Sequence, residues 1–233
     1  KDEDVIQKAL YKIEKKAFAT NDSNLKKEVA TLKKVLDHLK EGKLVNSLSL
    51  DTDEISHIKP LNLITTKPML YVANVSEEDI VDASLNPHYN ALKTFAESNN
   101  STIISVSAKI ESEIAVLEDE DKKIFMEDLG ISESGLDKLI KASYSLLDLQ
   151  TFFTAGKKEV RAWTFKKGYL APQCAGVIHT DFEKGFIRAE VMKYDDFIEL
   201  GSEQAVKDAG KWSSEGKDYL MQDGDIVLFR FNV

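Results

Sequence analysis

The sequence predicts an α/β plus α+β fold built from a helical hairpin, part of a doubly wound α/β domain and a small mixed domain. Apolar residues recur at heptad spacing in residues 4–40, which is typical of paired helices. Strand and helix patterns alternate in residues 51–148, whereas short β-rich segments separated by Gly turns fill residues 149–233. We therefore expect three domains: residues 1–50, 51–148 and 149–233.

Residues 4–40 are expected to form two antiparallel helices. Apolar positions follow each other at intervals of four and three in both halves: Ile6, Leu10, Ile13 and Ala17, then Leu25, Val29, Leu32, Leu36 and Leu39. The segment from Asn21 to Asn24 is turn sequence, and Ser23 or Asn24 is expected to cap the second helix. A helix of about 16 residues is marginal alone in water, so each should pack on the other. The pair is either a structural arm or an arm that docks onto a partner.

Residues 51–148 carry the alternation of a doubly wound sheet. A short polar helix at 51–59 is stopped by Pro60. Apolar runs at 69–73 and 102–106 have the length of buried parallel strands. The remaining periodic segments predict helices, at 87–98, 111–128 and 135–147. Because two strands are too few for a stable sheet, we expect this to be the tail of a larger α/β domain.

The last third of the chain is expected to fold as an independent α+β domain. The β-rich segments lie at 151–154, 159–164, 186–191 and 226–231. Gly-containing turn signals separate these segments. Helices fit at 172–178 and 202–209.

Charge and cysteine content restrict the functional classes. The 233 residues have a net charge of −9 and a pI near 5.1, which excludes a general DNA coat, and we expect no DNA specificity. Residues 149–233 hold twelve basic and thirteen acidic residues, so any RNA-binding face is expected there. Cys174 is the only cysteine, so an internal disulfide is excluded; we expect a small buried residue, in a cytoplasmic protein.

Targeting and membrane signals are weak throughout the sequence. The longest apolar runs are far shorter than the roughly 20 residues that a membrane-spanning helix needs, so we expect no membrane partner. The chain opens with Lys1-Asp2-Glu3-Asp4, which lacks both a start Met and the apolar stretch of a signal peptide. We take this opening to predict further residues upstream.

Two polar loops follow the two predicted strands of the α/β region. Asn74-Val75-Ser76-Glu77 follows the first strand, and Ser107-Ala108-Lys109 follows the second. Ligands of open α/β sheets bind at the carboxyl ends of strands, and a nucleotide base needs an amide, a carboxylate and backbone N–H groups. The loops are thus either a base site or ordinary surface loops. Glu111 and Glu113 are expected to lie at a solvated helix start.

Several longer stretches of the sequence resemble one known family. They are residues 67–77, 149–164, 171–190 and the ending from 215 to 233. All of them resemble the YchF/Obg-like ATPase family of the P-loop GTPase superfamily, and the resemblance extends over essentially the whole chain. It implies a coiled-coil arm at 1–50, the end of the nucleotide-binding G domain at 51–148, and a β-grasp-like TGS domain at 149–233.

The resemblance implies an ATP-binding and ATP-hydrolysing protein that binds the ribosome or RNA. Asn74, Val75, Glu77, Ser107 and Ala108 would form the base site, with Glu77 in place of the Asp that recognises guanine in related GTPases. ATP is therefore the expected nucleotide, with GTP possible. The sequence holds no Gly-x-x-x-x-Gly-Lys-Ser/Thr, so the phosphate loop and the Mg²⁺ ligands are expected upstream of Lys1. We expect this chain alone to be inactive, with neither catalytic residues nor metal ligands of its own.

A basic and aromatic segment opens the last domain. Its cations are Lys157, Lys158, Arg161, Lys166 and Lys167. Interleaved with Trp163 and Phe165, they are candidate RNA or ribosome contacts, since unpaired RNA is held by stacking and phosphate contacts. In the alternative reading, the aromatics belong to the core and the cations solubilise the surface. The competing function is a non-enzymatic RNA or ribosome adaptor, in which the α/β region is only a spacer.

Overall fold

The computed structural model describes residues 1–20, 22–156 and 159–232, apart from the side chain of Phe18. These residues form a mixed α/β structure of helices and two sheets. The chain divides into two compact units, Lys1–Ala142 and Ser143–Val233, which we describe separately. The three-domain division into 1–50, 51–148 and 149–233 stays a prediction.

Two long helices open the first unit, α1 (Asp2–Thr20) and α2 (Ser23–Lys40). Their apolar stripes share one cluster in which Ile6, Leu32 and Val35 are fully buried. The cap of α2 differs from our expectation: Asp22, rather than Ser23 or Asn24, adopts the extended N-cap conformation. Its carboxylate accepts the N–H of Asn24 at 2.8 Å. A carboxylate there also suits the positive end of the helix dipole.

Short helical segments continue the chain after α2. They are 3₁₀ turns at Val45–Ser47, Lys59–Leu61 and Ile64–Thr66, and helix α3 (Thr52–Ile58). Val45 and Leu63 join the buried cluster of α1 and α2. Asp2 fixes the last of these turns, because its carboxylate accepts both the N–H and the hydroxyl of Thr65 at 2.7 Å.

A two-stranded parallel sheet follows, made of β1 (Leu70–Asn74) and β2 (Thr102–Val106). A 3₁₀ turn at Ala83–Leu85 and helix α4 (Pro87–Ser98) connect the strands. Beyond β2 lie α5 (Ala108–Ile114), α6 (Asp119–Asp128) and α7 (Gly135–Leu146).

The single helix predicted at 111–128 is wrong. The structure starts α5 three residues earlier, at Ala108, and ends it at Ile114. Glu118 is extended and precedes α6, whose first turn holds Asp119, Glu120 and Asp121. Acidic residues stabilise a helix N-terminus through the dipole, so this acidic run starts a new helix instead of lying inside an old one.

The second unit is built around a five-stranded sheet. In chain order its strands are β3 (Leu149–Ala155), β4 (Val160–Lys166), β5 (Phe186–Lys193), β6 (Ser213–Glu215) and β7 (Asp225–Phe231). Their spatial order is β4-β3-β7-β5-β6, with β3 and β7 parallel and the other pairs antiparallel.

Four helices accompany this sheet: α8 (Ala171–Ile178), α9 (Thr180–Lys184), α10 (Tyr194–Leu200) and α11 (Glu203–Asp208). The sequence reading missed α9, α10 and β6. Each has three to seven residues, which is too short for an apolar period to become visible.

The main core of this unit is aromatic. Phe152 is fully buried, and its ring lies 5.8 Å from the rings of Phe165 and Phe229 and 6.5 Å from the ring of Trp163. Residues of α8, including Cys174, complete the same cluster.

Candidate functional site

The two polar loops meet at the carboxyl end of the parallel sheet. The register pairs Asn74 of β1 with Val106 of β2, so both strands end at the same level. The N–H of Val75 donates to the carbonyl oxygen of Val106 at 2.8 Å. The N–H of Ala108 donates to Oδ1 of Asn74 at 3.0 Å. The structure thus brings together the loops that contain all five predicted base-site residues.

Val75 is anchored by its side chain, which packs against a cluster containing Ile80, Ile110 and Ile114. Because its N–H is already used by Val106, only its carbonyl oxygen can offer a ligand a backbone contact. Ser107 is buried and is the N-cap residue of α5, whereas Ala108 is exposed.

An ion pair that sequence reasoning missed spans the two loops. The carboxylate of Glu77 contacts the ammonium of Lys109, in the first turn of α5. Their side chains are 39% and 69% exposed. The hydrogen bond with Glu77, together with its negative charge, raises the pKa of Lys109. The signal was available in the sequence, since opposite charges follow the ends of two strands predicted to be parallel.

Hydrogen bonds within the loop after β1 hold its shape. Asp79 accepts from Nδ2 of Asn86 at 2.9 Å and from the hydroxyl of Ser76 at 2.8 Å. These two hydrogen bonds lower the pKa of Asp79. Glu77 therefore lies in a turn that is held by hydrogen bonds between residues before and after it, Ser76 and Asp79.

Glu111 lies in the first turn of α5, in accord with the expected helix start, but its carboxylate is not left to solvent. Its carboxylate accepts the N–H of Gly135 at 2.6 Å and that of Leu136 at 3.2 Å, so it caps the start of α7. The close approach requires Gly135, because a Cβ there would lie 2.9 Å from both Glu111 Oε1 and Val106 Cγ1. A cleft of about 610 Å³ lies beside this contact, lined by Val72, Ala108 and Leu139 among others.

The predicted basic segment is only partly described, because Lys157 and Lys158 lie outside the described residues. Arg161 lies over the ring of Trp163, with Cζ 4.1 Å from the ring centre, and Lys166 and Lys167 are exposed. Arg161 and Lys166 are five positions apart on one strand, about 17 Å, and alternation places them on opposite faces. Only some of the five cations can therefore face one partner.

The aromatic residues of this segment belong to the core. Phe165 is buried, and Trp163 stacks on Phe152 and donates its ring N–H to the hydroxyl of Thr154 at 2.9 Å. With Arg161 over the same ring, Trp163 is not free to stack on a nucleobase.

Cys174 does not provide a reactive thiol. Burial first, and then the negative charge of Asp225, raise the pKa of Cys174 to about 12, which leaves an unreactive thiol. Within residues 1–20, 22–156 and 159–232, no three His, Cys, Asp or Glu side chains are grouped to hold a metal ion. In the same residues, no helix has the length and apolar character that crossing a membrane requires.

The fold has a clear counterpart among solved structures. The structure titled as the Schizosaccharomyces pombe YchF GTPase matches 98% of this chain and 62% of its own length, with a TM-score of 0.81 and 33% identity. A GTP-binding protein from Pyrococcus horikoshii matches at a TM-score of 0.52 and 17% identity, which supports the fold alone. The fold of this chain is therefore that of a large part of a YchF-type GTPase structure.

Sequence comparisons agree with this structural match. The family model YchF-GTPase_C, described as a protein of unknown function (DUF933), matches residues 149–232. Proteins named ribosome-binding ATPase YchF are 50% identical in Haemophilus ducreyi, 49% in Bacillus subtilis and 45% in Escherichia coli O157:H7. These alignments cover 100% of this chain, which spans 63% of the length of these relatives. This chain is similar to these proteins along its whole length, and the predicted resemblance to the YchF family is confirmed.

Proposed function

We propose that this chain carries the base-binding and ribosome-binding parts of a translation-associated, ATP-hydrolysing protein. The names of its relatives, ribosome-binding ATPases, support the activity and the partner. The observation that carries the proposal is the junction of the two strand-end loops, where Asn74 accepts the N–H of Ala108. Ligands of open α/β sheets bind at this end of the strands. Ribosome contact would place the protein in the cytoplasm.

In the proposed base site each residue has a separate task. Asn74 uses its amide oxygen to hold the second loop, which leaves its NH₂ group to donate to a ring nitrogen of adenine. Val75 offers its carbonyl oxygen, and Ser107 and Ala108 form the backbone wall of the site. Glu77 stands where an Asp would accept the two guanine donors, and it is engaged by Lys109 instead. ATP is the preferred nucleotide in this proposal, and GTP is weaker.

Phosphoryl transfer needs parts that these residues do not supply. When bound, Mg²⁺ would neutralise phosphate charge, and a phosphate-cradling loop would position the nucleotide. The described side chains do not fit a Mg²⁺ site, and the sequence contains no Gly-x-x-x-x-Gly-Lys-Ser/Thr. We therefore derive no catalytic step from this chain and propose that it is inactive alone.

The finer domain assignments belong to the same proposal. Residues 1–50 are the coiled-coil arm, 51–148 the end of the G domain, and 149–233 a TGS domain that contacts RNA or the ribosome. Of the proposed contacts, Arg161, Lys166 and Lys167 lie in the described part, and Lys157 and Lys158 complete the set. Because these five cations cannot all face one partner, we expect modest, salt-sensitive binding of RNA or the ribosome with little recognition of base sequence.

Two nucleotide measurements test the proposal. The protein as the cell makes it should hydrolyse ATP, whereas the purified 233-residue chain should give no turnover above the buffer blank. Steady ATP turnover by the 233-residue chain would overturn the predicted inactivity.

In competitive titration, Val75→Lys combined with Glu77→Asp should shift preference toward GTP, because it restores the guanine-type carboxylate reach. A wild-type protein that prefers GTP tenfold, about 1.4 kcal/mol, contradicts the base assignment.

Ribosome contact has its own test. Wild-type protein should co-sediment with ribosomes at low salt, and Lys157→Glu, Lys158→Glu and Lys166→Glu together should abolish this. If the triple variant co-sediments like wild type, the contact lies elsewhere and the helical pair α1 and α2 becomes the candidate. Co-sedimentation without any ATP binding by the whole protein would favour the non-enzymatic adaptor.

A further inference from the structure

The ion pair between Glu77 and Lys109 lies where the two base-site loops meet. Glu77 belongs to the loop after β1, and Lys109 directly follows Ala108, whose N–H is held by Asn74. Both side chains keep a large exposed fraction, so a ligand can reach them. The hydrogen bond with Glu77, and then the negative charge of Glu77, raise the pKa of Lys109, so Lys109 remains a cation that can donate hydrogen bonds.

An ion pair presents a hydrogen-bond acceptor beside a donor. Lys offers only donors and an ionised Glu only acceptors, so the two groups together form a mixed edge. Adenine has a matching edge, since its 6-amino group donates and its ring N1 accepts. Guanine has two donors there, N1–H and the 2-amino group, and one of them would face the ammonium of Lys109.

The backbone N–H groups that could donate to the 6-oxo group of guanine are already used within the protein. In this structure the N–H of Ala108 donates to Asn74 Oδ1 at 3.0 Å, and the N–H of Val75 donates to Val106 at 2.8 Å. The 6-oxo group of guanine needs a donor, so it would have to displace one of these internal hydrogen bonds. The 6-amino group of adenine is itself a donor and needs neither N–H. Both observations favour the adenine edge.

We propose that Lys109 is a specificity-determining residue, which with Glu77 reads the Watson–Crick edge of adenine. Lys109 Nζ donates to N1, and the Glu77 carboxylate accepts from the 6-amino group. This inference rests on the proposed function, because it assumes that the two loops hold a nucleotide base. The ammonium of Lys109 would face the N1–H donor of guanine, so guanine is rejected by this donor–donor clash as well as by the longer reach of the Glu77 carboxylate.

A comparable pair in the same unit serves as the control. Lys141 and Glu133 form an ion pair at 2.7 Å, with side chains 75% and 26% exposed, and neither residue belongs to the base-site loops. Lys141→Met therefore removes a surface ammonium of the same kind without touching the proposed site.

The experiment removes the two partners of the proposed hydrogen bond separately. Displacement of a fluorescent ATP analogue from the protein as the cell makes it compares three competitors: ATP, GTP and 1-deaza-ATP, which lacks the N1 acceptor. Wild type and Lys141→Met should bind 1-deaza-ATP about tenfold more weakly than ATP, as expected for a lost charged hydrogen bond. Lys109→Met should bind the two equally, with a smaller preference for ATP over GTP, and Lys109→Arg should restore part of the discrimination.

The outcomes separate the inference from the proposed function. If Lys109→Met keeps the wild-type ratio between ATP and 1-deaza-ATP, the Lys109 assignment is overturned while nucleotide binding stands. If wild-type protein does not bind the ATP analogue at all, both fall. Circular dichroism melting of each variant shows whether the fold is intact, and Lys109→Arg carries the test if Lys109→Met is unstable.

Discussion

Two carboxylates paired with lysine, one in each unit, behave as opposites. Asp225 in the second unit is completely buried and accepts from Lys193, from the hydroxyl of Tyr219 at 2.8 Å and from the N–H of Gln222 at 3.0 Å. Glu77 in the first unit is more than one-third exposed, and its ion-pair partner Lys109 is still more exposed. The carboxylate of such a pair is therefore buried in one unit and open to solvent in the other.

The difference follows from the cost of burying charge. A buried carboxylate is tolerated only when its oxygens are fully satisfied, so the three partners of Asp225 fix strand β7 and the turn before it. An exposed pair contributes little to stability, because water competes for both charges. Glu77 and Lys109 are therefore both open to solvent, whereas the carboxylate of Asp225 is enclosed by its own partners. The predictions below test this division between structural and ligand-facing groups.

The largest expected effect is on the aromatic core that surrounds the sheet of the second unit. Phe152→Ala should lower the free energy of unfolding by about 3–5 kcal/mol, because it leaves a cavity among Phe165, Phe229 and Trp163. Urea titration followed by Trp fluorescence measures this, since both Trp residues of the chain lie in this unit. Phe95→Ala, at a ring 53% exposed in the first unit, is the control and should leave that transition unchanged.

The next effect concerns the buried carboxylate. Asp225→Asn should cost about 1–3 kcal/mol, because the amide leaves Lys193 without its counter-charge and one buried polar contact unsatisfied. The exposed Asp218 offers the same chemical change as a control, Asp218→Asn, and should move the urea midpoint far less. Equal midpoints for the two variants would contradict a structural role of Asp225.

A smaller, pH-dependent effect is expected at Glu190. Hydrogen bonds from Arg230 and then from Arg188, both at 3.0 Å, lower the pKa of Glu190 below its ordinary value of 4.5. A lowered pKa in the folded state means that the ionised carboxylate stabilises the fold above pH 4.5. This stabilisation is lost as the pH falls through the lowered folded value.

Glu190→Gln should therefore destabilise the chain by about 1 kcal/mol at pH 7, and the difference from wild type should begin to shrink below pH 4.5 and vanish once the pH is below the lowered pKa of the folded state. Urea midpoints measured from pH 7 down to pH 3 test this. Glu203→Gln, at an exposed pair with Lys207, is the control and should show a smaller difference at neutral pH. A Glu190→Gln difference that grows in acid would refute the assignment.

The sequence predicted more of the framework than of the contacts. Strand β2, both long helices and the β-rich character of the second unit follow from apolar periodicity, which is local. The capping of α7 by Glu111 depends on Glu111 reaching Gly135, 24 positions away. No local pattern encodes such a contact.

The candidate site shows the same limit. The order of Asn74 and Ser107 after two parallel strands predicted that their loops would meet. The ion pair of Glu77 with Lys109 depends on side-chain reach across those loops. For Trp163 the sequence left two readings open, a core residue or an RNA-stacking residue, and its packing on Phe152 supports the core reading.

The smallest expected effect on stability is at Glu77. Glu77→Gln makes the same kind of change as Asp225→Asn, a carboxylate to an amide, but at a group from which water is not excluded. The unfolding of the first unit, followed by helical circular dichroism, should therefore be indistinguishable from that of the surface control Lys141→Met. Nucleotide displacement should nevertheless change for Glu77→Gln and not for Lys141→Met, because only Glu77 borders the base-site loops. If Glu77→Gln destabilises the first unit as strongly as Asp225→Asn destabilises the second, Glu77 is a structural carboxylate, and the contrast between the two units fails.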